Sequence, residues 1–272
     1  MLGDIELLTV DSMQVYCGMD IGTAKPTSAE QQLVRHHCIN LVEPSVEFTV
    51  VDFVGAYDLA CVQLSGRGLL VGGTGLYLRA VIDGLSPAGS WPDIRAELEA
   101  ETDTAVLARR LADLDPVAAA KIEPANRRRL VRALEVSLGS GAPFSSYGPG
   151  MEVYAESNVQ QIGLRWSREH LTHRVGLRVH QMMSDGFLAE VEMLARAPIS
   201  RTARQALGYR ELLEYLAGIL SLDEAVATTI MRTRQFAVRQ ERWFRRDPRI
   251  RWIEIHEDAA EAIPAVLEAL DA

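Results

Sequence analysis

Lysine is nearly absent from this sequence: 26 of its 28 basic residues are arginines, and the two lysines are Lys25 and Lys121. Each lysine follows an alanine, so the 272 residues contain no Gly-Lys pair. That absence excludes a G-x-x-x-x-G-K-[ST] loop, in which the lysine and backbone amides hold phosphates. Arginine itself suits phosphate binding and base stacking. A GC-rich genome produces the same arginine bias, so composition leaves both interpretations open.

Cysteines are few, and long apolar runs are missing. Cys17, Cys38 and Cys61 are odd in number and widely spaced, which fits neither a disulfide framework nor a zinc pattern. We therefore expect free thiols in a reducing compartment. No apolar run approaches the roughly 18 residues of a membrane span, and Asp4 and Glu6 stand where a signal peptide carries bases. We expect a soluble, cytoplasmic monomer that does not contact a membrane.

A generally basic surface is also missing, because the net charge is −9. This excludes a protein whose whole surface binds nucleic acid, while a local basic face remains compatible with it. With 272 residues, of which 48% are hydrophobic, the chain can form one sizeable core together with a small inserted domain.

The order of apolar segments predicts an α/β protein. Residues 7–10 form a short apolar run that ends in Asp11, and residues 69–71 form another that leads into a glycine turn and a helix. Strand, glycine turn and helix make up the βα unit of an open parallel sheet, with the site expected at the carboxyl ends of the strands. A further strand is predicted at residues 38–42.

Residues 91–150 interrupt this pattern, because helical spacing rich in Ala, Leu, Glu and Arg replaces every strand signal. We interpret them as a helical insertion, with residues 1–90 and 151–272 forming the α/β core. The core pattern resumes with a strand at 161–164 and a helix at 171–182. A long helix then begins at Ser221, where Ser221 and Glu224 form a capping box. It runs to Asp247, before a strand at 250–255 and a closing helix.

Asp11 is the first candidate for chemistry. A carboxylate at a strand end can act as a general base, accept a hydrogen bond from an amine or bind a metal through water. It can equally be a turn or N-cap residue. Lys25, in the loop that follows, either contacts a phosphate or sits in a solvated turn.

The glycine turn at residues 72–75 is a second candidate. Its backbone amides could approach an anion at a helix start, with the Thr74 hydroxyl as a further donor. A bare glycine cluster is about equally typical of a tight turn, and no G-x-G-x-x-G pattern is present.

Arginines mark two helical segments. Four of them lie between Arg127 and Arg132 with no acid among them, which favours contact with an RNA backbone over a solvated face. On the long C-terminal helix, Arg232 and Arg239 share a face with Arg242 and Arg246, and such a stripe can bind the phosphates of a ligand or of RNA.

Taken in order, these segments resemble the tRNA dimethylallyltransferases. The matching segments are DSMQVY at 11–16, GMDIGTAKP at 18–26, HH at 36–37, VGGTGLY at 71–77, RLVRALE at 129–135, QALGYR at 205–210, TRQFA at 233–237, RQ at 239–240 and WFRR at 243–246. The resemblance covers nearly the whole chain. It implies a P-loop-type parallel sheet core, and an insertion that grips the tRNA anticodon stem-loop.

The resemblance also implies a reaction and roles for residues. A dimethylallyl group would pass from dimethylallyl diphosphate to the exocyclic amine of a flipped adenine beside the anticodon. Asp11 would receive the amine proton, and Thr74 and Arg95 would contact tRNA near the reacting base. The wider tRNA surface would comprise Asp11, Ser12, Met13, Gln14, Arg128, Arg129, Leu130, Val131, Arg132, Gln205, Ala206, Leu207, Gly208, Tyr209 and Arg210.

The departing diphosphate is expected to be stabilised by arginines and Mg²⁺. Arg178, Arg232 and Arg239 are the candidate diphosphate ligands. No metal ligand is identified in the sequence.

The sequence departs from the family at one feature, since the family opens with an apolar strand and a G-x-x-x-x-G-K-[ST] loop before the segment that begins here near Asp4. In P-loop folds that strand is buried on both faces. Burying each large apolar side chain contributes roughly 1.5–3 kcal/mol, against a whole-domain stability of about 5–15 kcal/mol. We therefore expect weakened folding, and impaired activity unless the N-terminus is longer than the one given.

Two other hypotheses stand beside the transferase. One is a tRNA-binding protein without catalysis. The other, a small-molecule kinase relative, needs the same missing loop and does not account for the arginine-rich helix.

Overall fold

The computed structural model describes residues 5–85, 88–147 and 153–271. Within these ranges the strands are β1 (Ile5–Val10), β2 (His36–His37), β3 (Arg67–Gly72), β4 (Gln161–Trp166) and β5 (Ile250–Ile255). The helices are α1 (Ser28–Leu33), α2 (Val50–Gln63), α3 (Gly75–Ile82), α4 (Pro92–Ala100), α5 (Thr104–Leu114), α6 (Pro116–Lys121), α7 (Arg127–Ser140), α8 (Arg168–Ser184), α9 (Phe187–Leu194), α10 (Arg201–Arg204), α11 (Tyr209–Leu216), α12 (Leu222–Phe244) and α13 (Ile263–Asp271).

The strands pair in parallel, which confirms the predicted α/β class. One sheet has the order β2-β1-β3, and the other consists of β4 and β5. In the first sheet Val10 is in register with Gly72, so β1 and β3 end side by side. Because parallel strands end at the same edge, the segments after β1 and β3 are brought together there.

The core of this α/β part forms around β1, whose last three residues are buried and whose first half is partly exposed. Leu8 and Val10 are fully buried, and α2 and α3 cover the sheet through Phe53 and Tyr77. Their rings stack with centroids 4.5 Å apart. Such aromatic pairs add stability beyond the area that they bury.

The strand predicted at residues 38–42 is wrong. Cys38 and Asn40 adopt left-handed backbone angles, with φ of 61° and 51°, which break the extended conformation. The strand in this region is β2, two residues upstream, and Val42 makes only an isolated parallel bridge to Tyr16.

The long C-terminal helix begins as predicted. Ser221 is its N-cap, and Ser221 and Glu224 form both hydrogen bonds of the capping box. The helix ends at Phe244, three residues before the predicted end at Asp247. Asp247 is buried and accepts hydrogen bonds from Arg249 instead.

The chain divides into two compact units, Met1–Ile82 with Ser157–Ala272 and Asp83–Glu156. The second unit contains α4 to α7 and has its own core, which includes Leu98, Leu111 and Leu134. The predicted insertion, residues 91–150, falls inside this unit, and its predicted C-terminal boundary lies outside the described residues. Asp103 and Asn126 start new helices by capping them, so the helical pattern predicted for residues 91–150 is divided among α4 to α7.

Cys17, Cys38 and Cys61 are free thiols, and Cys38 is buried. Among the described residues, no helix combines the length and the apolar character that a membrane crossing requires.

Candidate active site

Asp11 follows β1 directly and is half-buried. Its Oδ1 accepts hydrogen bonds from the backbone N–H groups of Met13, at 2.7 Å, and Gln14, at 3.2 Å. These bonds fix the turn at residues 12–14 and hold the carboxylate in one orientation. None of the described residues donates to Oδ2. Asp11 is therefore a turn residue through one oxygen and presents a free acceptor through the other.

Thr74 lies at the same edge of the sheet as Asp11 and is hydrogen-bonded to Ser12, the next residue. The Thr74 hydroxyl accepts a hydrogen bond from the Ser12 backbone N–H at 3.1 Å and lies 3.4 Å from the Ser12 Oγ. The Thr74 N–H donates to the carbonyl of Val10 at 3.3 Å. The ends of β1 and β3 are thus tied together, and the hydroxyl and carboxylate share one edge of the sheet.

The glycine turn receives side chains from α12. Gln240 Nε2 donates to the Gly73 carbonyl at 2.8 Å. A Cβ at Gly73 would lie 2.0 Å from that nitrogen, and a Cβ at Gly75 would lie 2.1 Å from the Trp243 Nε1. Glycine is required at Gly75, because the rigid indole approaches the backbone closely, whereas the Gln240 amide near Gly73 is the flexible end of a side chain and can shift. This supports the tight-turn interpretation and not an open cradle for an anion.

Both interpretations of Lys25 from the sequence, a phosphate contact and a solvated turn, are wrong. The side chain is buried, and Nζ donates to the Tyr16 carbonyl at 2.6 Å and to Asp20 Oδ1 and Asn40 Oδ1 at 2.7 Å. All three ammonium protons have an acceptor, so Lys25 joins the segments around residues 16, 20 and 40.

The three arginines predicted to bind diphosphate differ in their surroundings. Arg232 pairs with Glu211, which is almost fully buried, so the Arg232 guanidinium already has a structural partner. Arg239 is exposed beside the Phe236 ring. Arg178 is accessible to solvent, yet the protein packed around its guanidinium lowers the pKa of Arg178, while the Asp11 carboxylate acts in the opposite sense. Arg178 is therefore a cation within electrostatic range of Asp11.

The QALGYR segment, residues 205–210, is only partly a surface. Gln205 and Arg210 are exposed, and Leu207 is half-buried. Ala206, Gly208 and Tyr209 are buried, which corrects their placement on an exposed tRNA surface. Burial and the Glu190 carboxylate raise the pKa of Tyr209, whose hydroxyl donates to Glu190 at 2.6 Å.

The predicted tRNA contacts of the second unit divide in the same way. Arg128 and Arg129 are exposed. Leu130 and Val131 lie in the core of the unit, which corrects the assignment of their side chains to a tRNA surface.

Arg95 and Arg132 both pair with Glu135, which is fully buried. Although burial raises the pKa of Glu135, hydrogen bonds from Arg95, the Trp91 backbone and Arg132 hold that pKa below its ordinary value. Arg95 and Arg132 therefore have structural partners, and Arg128 and Arg129 are the free cations of α7.

Glu190, Gln240 and Trp243 were not predicted from the sequence as site residues. A signal for Glu190 was present, because Phe187, Glu190, Val191 and Leu194 are spaced to share one helical face, which would place the carboxylate inward. Gln240 and Trp243 belong to matching segments, but their contact with the glycine turn depends on the tertiary fold.

Known proteins resemble this chain along almost its full length. The profile of the family described as IPP transferase matches residues 14–247. A tRNA dimethylallyltransferase of Geobacter sulfurreducens is 42% identical over 259 residues, which cover 92% of this chain and 83% of that protein. A tRNA dimethylallyltransferase of Bifidobacterium longum subsp. infantis is 42% identical over 255 residues, or 92% and 77% of the two chains.

Solved structures agree in fold. The full-length tRNA isopentenylpyrophosphate transferase of Bacillus halodurans superposes with a TM-score of 0.69 and 36% identity, covering 98% of this chain and 87% of that one. A eukaryotic dimethylallyltransferase, solved acting on tRNA, has a TM-score of 0.77 over 97% of this chain and 71% of that one. At 24% identity this second likeness concerns the fold alone.

Proposed function

This chain belongs to the IPP transferase family and is by family a tRNA dimethylallyltransferase, and on that premise we propose which atom it modifies and how. The group transferred is dimethylallyl, the donor is dimethylallyl diphosphate, and the acceptor is the exocyclic amine of the adenosine adjacent to the tRNA anticodon. The observation that carries the proposal is the free Oδ2 of Asp11, held beside the Thr74 hydroxyl at the carboxyl ends of β1 and β3.

The reaction is a displacement at the allylic carbon that bears the diphosphate. The amine nitrogen forms a bond to that carbon, and the carbon–oxygen bond breaks with its electron pair on the diphosphate. One amine proton passes to Asp11 Oδ2. The adenine must leave its stack so that the amine and the allylic carbon can meet. Because Asp11 Oδ1 is fixed by two backbone N–H groups, Oδ2 has a defined position for accepting the proton.

The leaving diphosphate concentrates negative charge, which a nearby cation stabilises as the bond breaks. Arg178 fits this role best, since it lies within electrostatic range of Asp11 and is an exposed residue. Arg239 is the second candidate. The described residues contain no cluster of three or more His, Cys, Asp or Glu side chains that would hold a metal. Mg²⁺ is usually held by one or two carboxylates together with substrate phosphates, and no step is assigned to it.

tRNA recognition is assigned to residues at the surface. In the first unit these are Gln205 and Arg210, which are exposed, and Gln14, which is half-buried; Arg210 also pairs with Glu214 on its own helix at 2.9 Å. In the second unit they are Arg128 and Arg129, which are exposed. Contact of these arginines with RNA phosphates would release counterions. Binding is therefore expected to weaken as salt rises.

Transfer by these 272 residues is proposed to be slow, because they contain no Gly-Lys pair and hence no diphosphate loop. The same observation favours a second candidate function, tRNA binding without transfer.

One pair of assays separates the two functions. Filter binding at several salt concentrations measures tRNA affinity, and chromatography of digested tRNA measures prenylated adenosine after incubation with dimethylallyl diphosphate. Binding with slow product formation supports the transferase. Binding without product supports the second candidate, and the absence of both contradicts each proposal.

A further inference from the structure

Glu190, on α9, carries a cluster of hydrogen bonds that the reaction does not use. Its Oε2 accepts from the backbone N–H groups of Asp20, at 3.0 Å, and Ile21, at 2.8 Å. Its Oε1 accepts from the Gly22 N–H at 3.3 Å and the Tyr209 hydroxyl at 2.6 Å. The side chain is buried, and a buried carboxylate with four donors is held firmly in one conformation.

The loop at residues 20–25 is shaped to fit this carboxylate. A Cβ at Gly22 would lie 2.2 Å from the Phe187 ring and 2.5 Å from the Tyr209 ring, so only glycine allows the loop to reach α9 and α11. The two rings pack edge to face, with centroids 4.9 Å apart. The loop therefore rests on an aromatic surface and is oriented by one carboxylate.

The side-chain amide of Gln14 binds the same loop. Gln14 Nε2 donates to the carbonyls of Thr23, at 3.1 Å, and Ala24, at 3.2 Å. Both amide protons are used, and the Gln14 Oε1 has no hydrogen-bond partner among the described residues. The position of the Gln14 carbonyl thus depends on the loop, and the loop depends on Glu190.

We propose that Glu190 is a positioning residue for tRNA recognition, which acts through the loop at residues 20–25 on Gln14 and through the Tyr209 hydroxyl on the QALGYR segment. This rests on the proposed function, because it takes Gln14 and the QALGYR segment as parts of the tRNA surface. Glu190 itself touches no substrate. Its buried carboxylate joins three segments that are far apart in sequence, namely α9, the loop at residues 20–25 and the start of α11.

The test replaces Glu190 with Gln, which keeps the volume but turns one acceptor oxygen into an amide that faces donors. Losing charged hydrogen bonds to the loop is expected to weaken tRNA affinity about tenfold. The salt dependence of binding should stay the same, because the phosphate contacts are made elsewhere. Glu192→Gln is the matched control, since Glu192 lies on the same helix, is exposed and undergoes the same chemical change.

Hydrogen exchange of the intact protein supplies a readout that is independent of binding. In Glu190→Gln the amides of residues 20–22 should exchange faster, while the amides of β1 keep their protection. Tyr209→Phe provides a milder variant if Glu190→Gln folds poorly. It removes one donor and keeps the ring, and affinity should fall about threefold, as for loss of one hydrogen bond.

The outcomes distinguish this inference from the proposed function. If the unaltered chain binds tRNA, and Glu190→Gln and Tyr209→Phe bind as tightly as Glu192→Gln, the positioning role is overturned and the proposed function stands. Unchanged exchange at residues 20–22 in Glu190→Gln overturns it as well. If the unaltered chain does not bind tRNA, the proposed function fails and the recognition role fails with it.

Discussion

At the scale of single residues, buried ionic groups organise the loops around the site. Lys25 places an ammonium group under the loop at residues 16–25, where three oxygens accept its protons. Ala24 and Asn40, on either side of it, have left-handed backbone angles. A flexible point charge at the end of a long side chain can join oxygens from three separate segments, which no apolar residue could do.

Lys25→Met should therefore reduce stability. Each of the three acceptors loses a charged donor, and a hydrogen bond to a charged group contributes about 1.5–3 kcal/mol. Urea unfolding should report a loss of at least that size. Lys121→Met is the control, because Lys121 is the other lysine, lies exposed at the end of α6 and has no ion pair among the described residues. Equal stability of the two variants would contradict the structural role of Lys25.

Glu6 is a buried acid with several hydrogen-bond partners. Its Oε2 lies 2.5 Å from His37 Nε2, and its Oε1 accepts from the Ser65 N–H at 2.9 Å and from the Ser65 hydroxyl. The Ser65 hydroxyl, followed by His37, lowers the pKa of Glu6 from its ordinary value of 4.5 to about 2. These contacts connect β1 with β2 and with the residues just before β3.

The lowered pKa of Glu6 predicts the direction in which stability changes with pH. The ionised Glu6 stabilises the fold above pH 4.5, and this contribution is lost as the pH falls from 4.5 toward about 2. Glu6→Gln should unfold more easily than the parent chain at neutral pH, and its stability should fall less over that acid range. The measurement is urea unfolding at a series of pH values. Glu123→Gln, at an exposed position, should keep the parent's slope, and the same slope in Glu6→Gln would refute the assignment.

At the scale of elements, α12 links the C-terminal part of the chain to the site. Its 23 residues begin with a capping box, and Gln240 and Trp243, near its other end, contact the glycine turn. The turn carries Thr74, so the helix supports the hydroxyl beside Asp11. The arginines of α12 divide between structural pairing, as in Arg232, and exposure, as in Arg239.

Gly75→Ala should disturb this contact. The added Cβ would lie 2.1 Å from the Trp243 Nε1, so the indole must shift. Overpacking of this kind costs about 1–3 kcal/mol. Urea unfolding and the tryptophan emission spectrum would both detect it.

Gly55→Ala is the matched control for that change. A Cβ at Gly55 meets no atom within 4 Å, and the residue lies inside α2. Alanine there should stabilise the helix by about 0.5–1 kcal/mol. Gly75→Ala with unchanged stability and emission would show that Trp243 does not rest on the turn.

The sequence predicted those elements whose signals lie within the element itself. Apolar strands β1, β3, β4 and β5 and the cap at Ser221 were predictable, because their signals lie within each segment. The left-handed residues Cys38 and Asn40 were not, since neither is a glycine and long-range contacts hold them. Arg95 and Arg232 were predicted as ligands because sequence alone does not reveal that Glu135 and Glu211 are buried beside them.

At the scale of the whole molecule, the chain is acidic yet belongs to a family that acts on tRNA. The net charge of −9 is compatible with this because several acids are buried in ion pairs with arginines, while Arg128, Arg129 and Arg239 remain exposed. The location of charge therefore matters more than its sum. The location of the candidate site at the carboxyl ends of the strands was predictable, since Asp11 and Thr74 follow neighbouring parallel strands.

In the proposed reaction, Asp11 accepts the proton of a tRNA adenine amine as the dimethylallyl group is transferred. The direct test is the amount of prenylated adenosine formed with time in tRNA by the parent chain, Asp11→Asn and the exposed control Asp58→Asn. Product should form in the parent and the control, and its rate should fall at least ~100-fold in Asp11→Asn, the usual contribution of a general base. Affinity for tRNA should change little. Equal rates in all three proteins, or tRNA binding by the parent with no product, would contradict the claim.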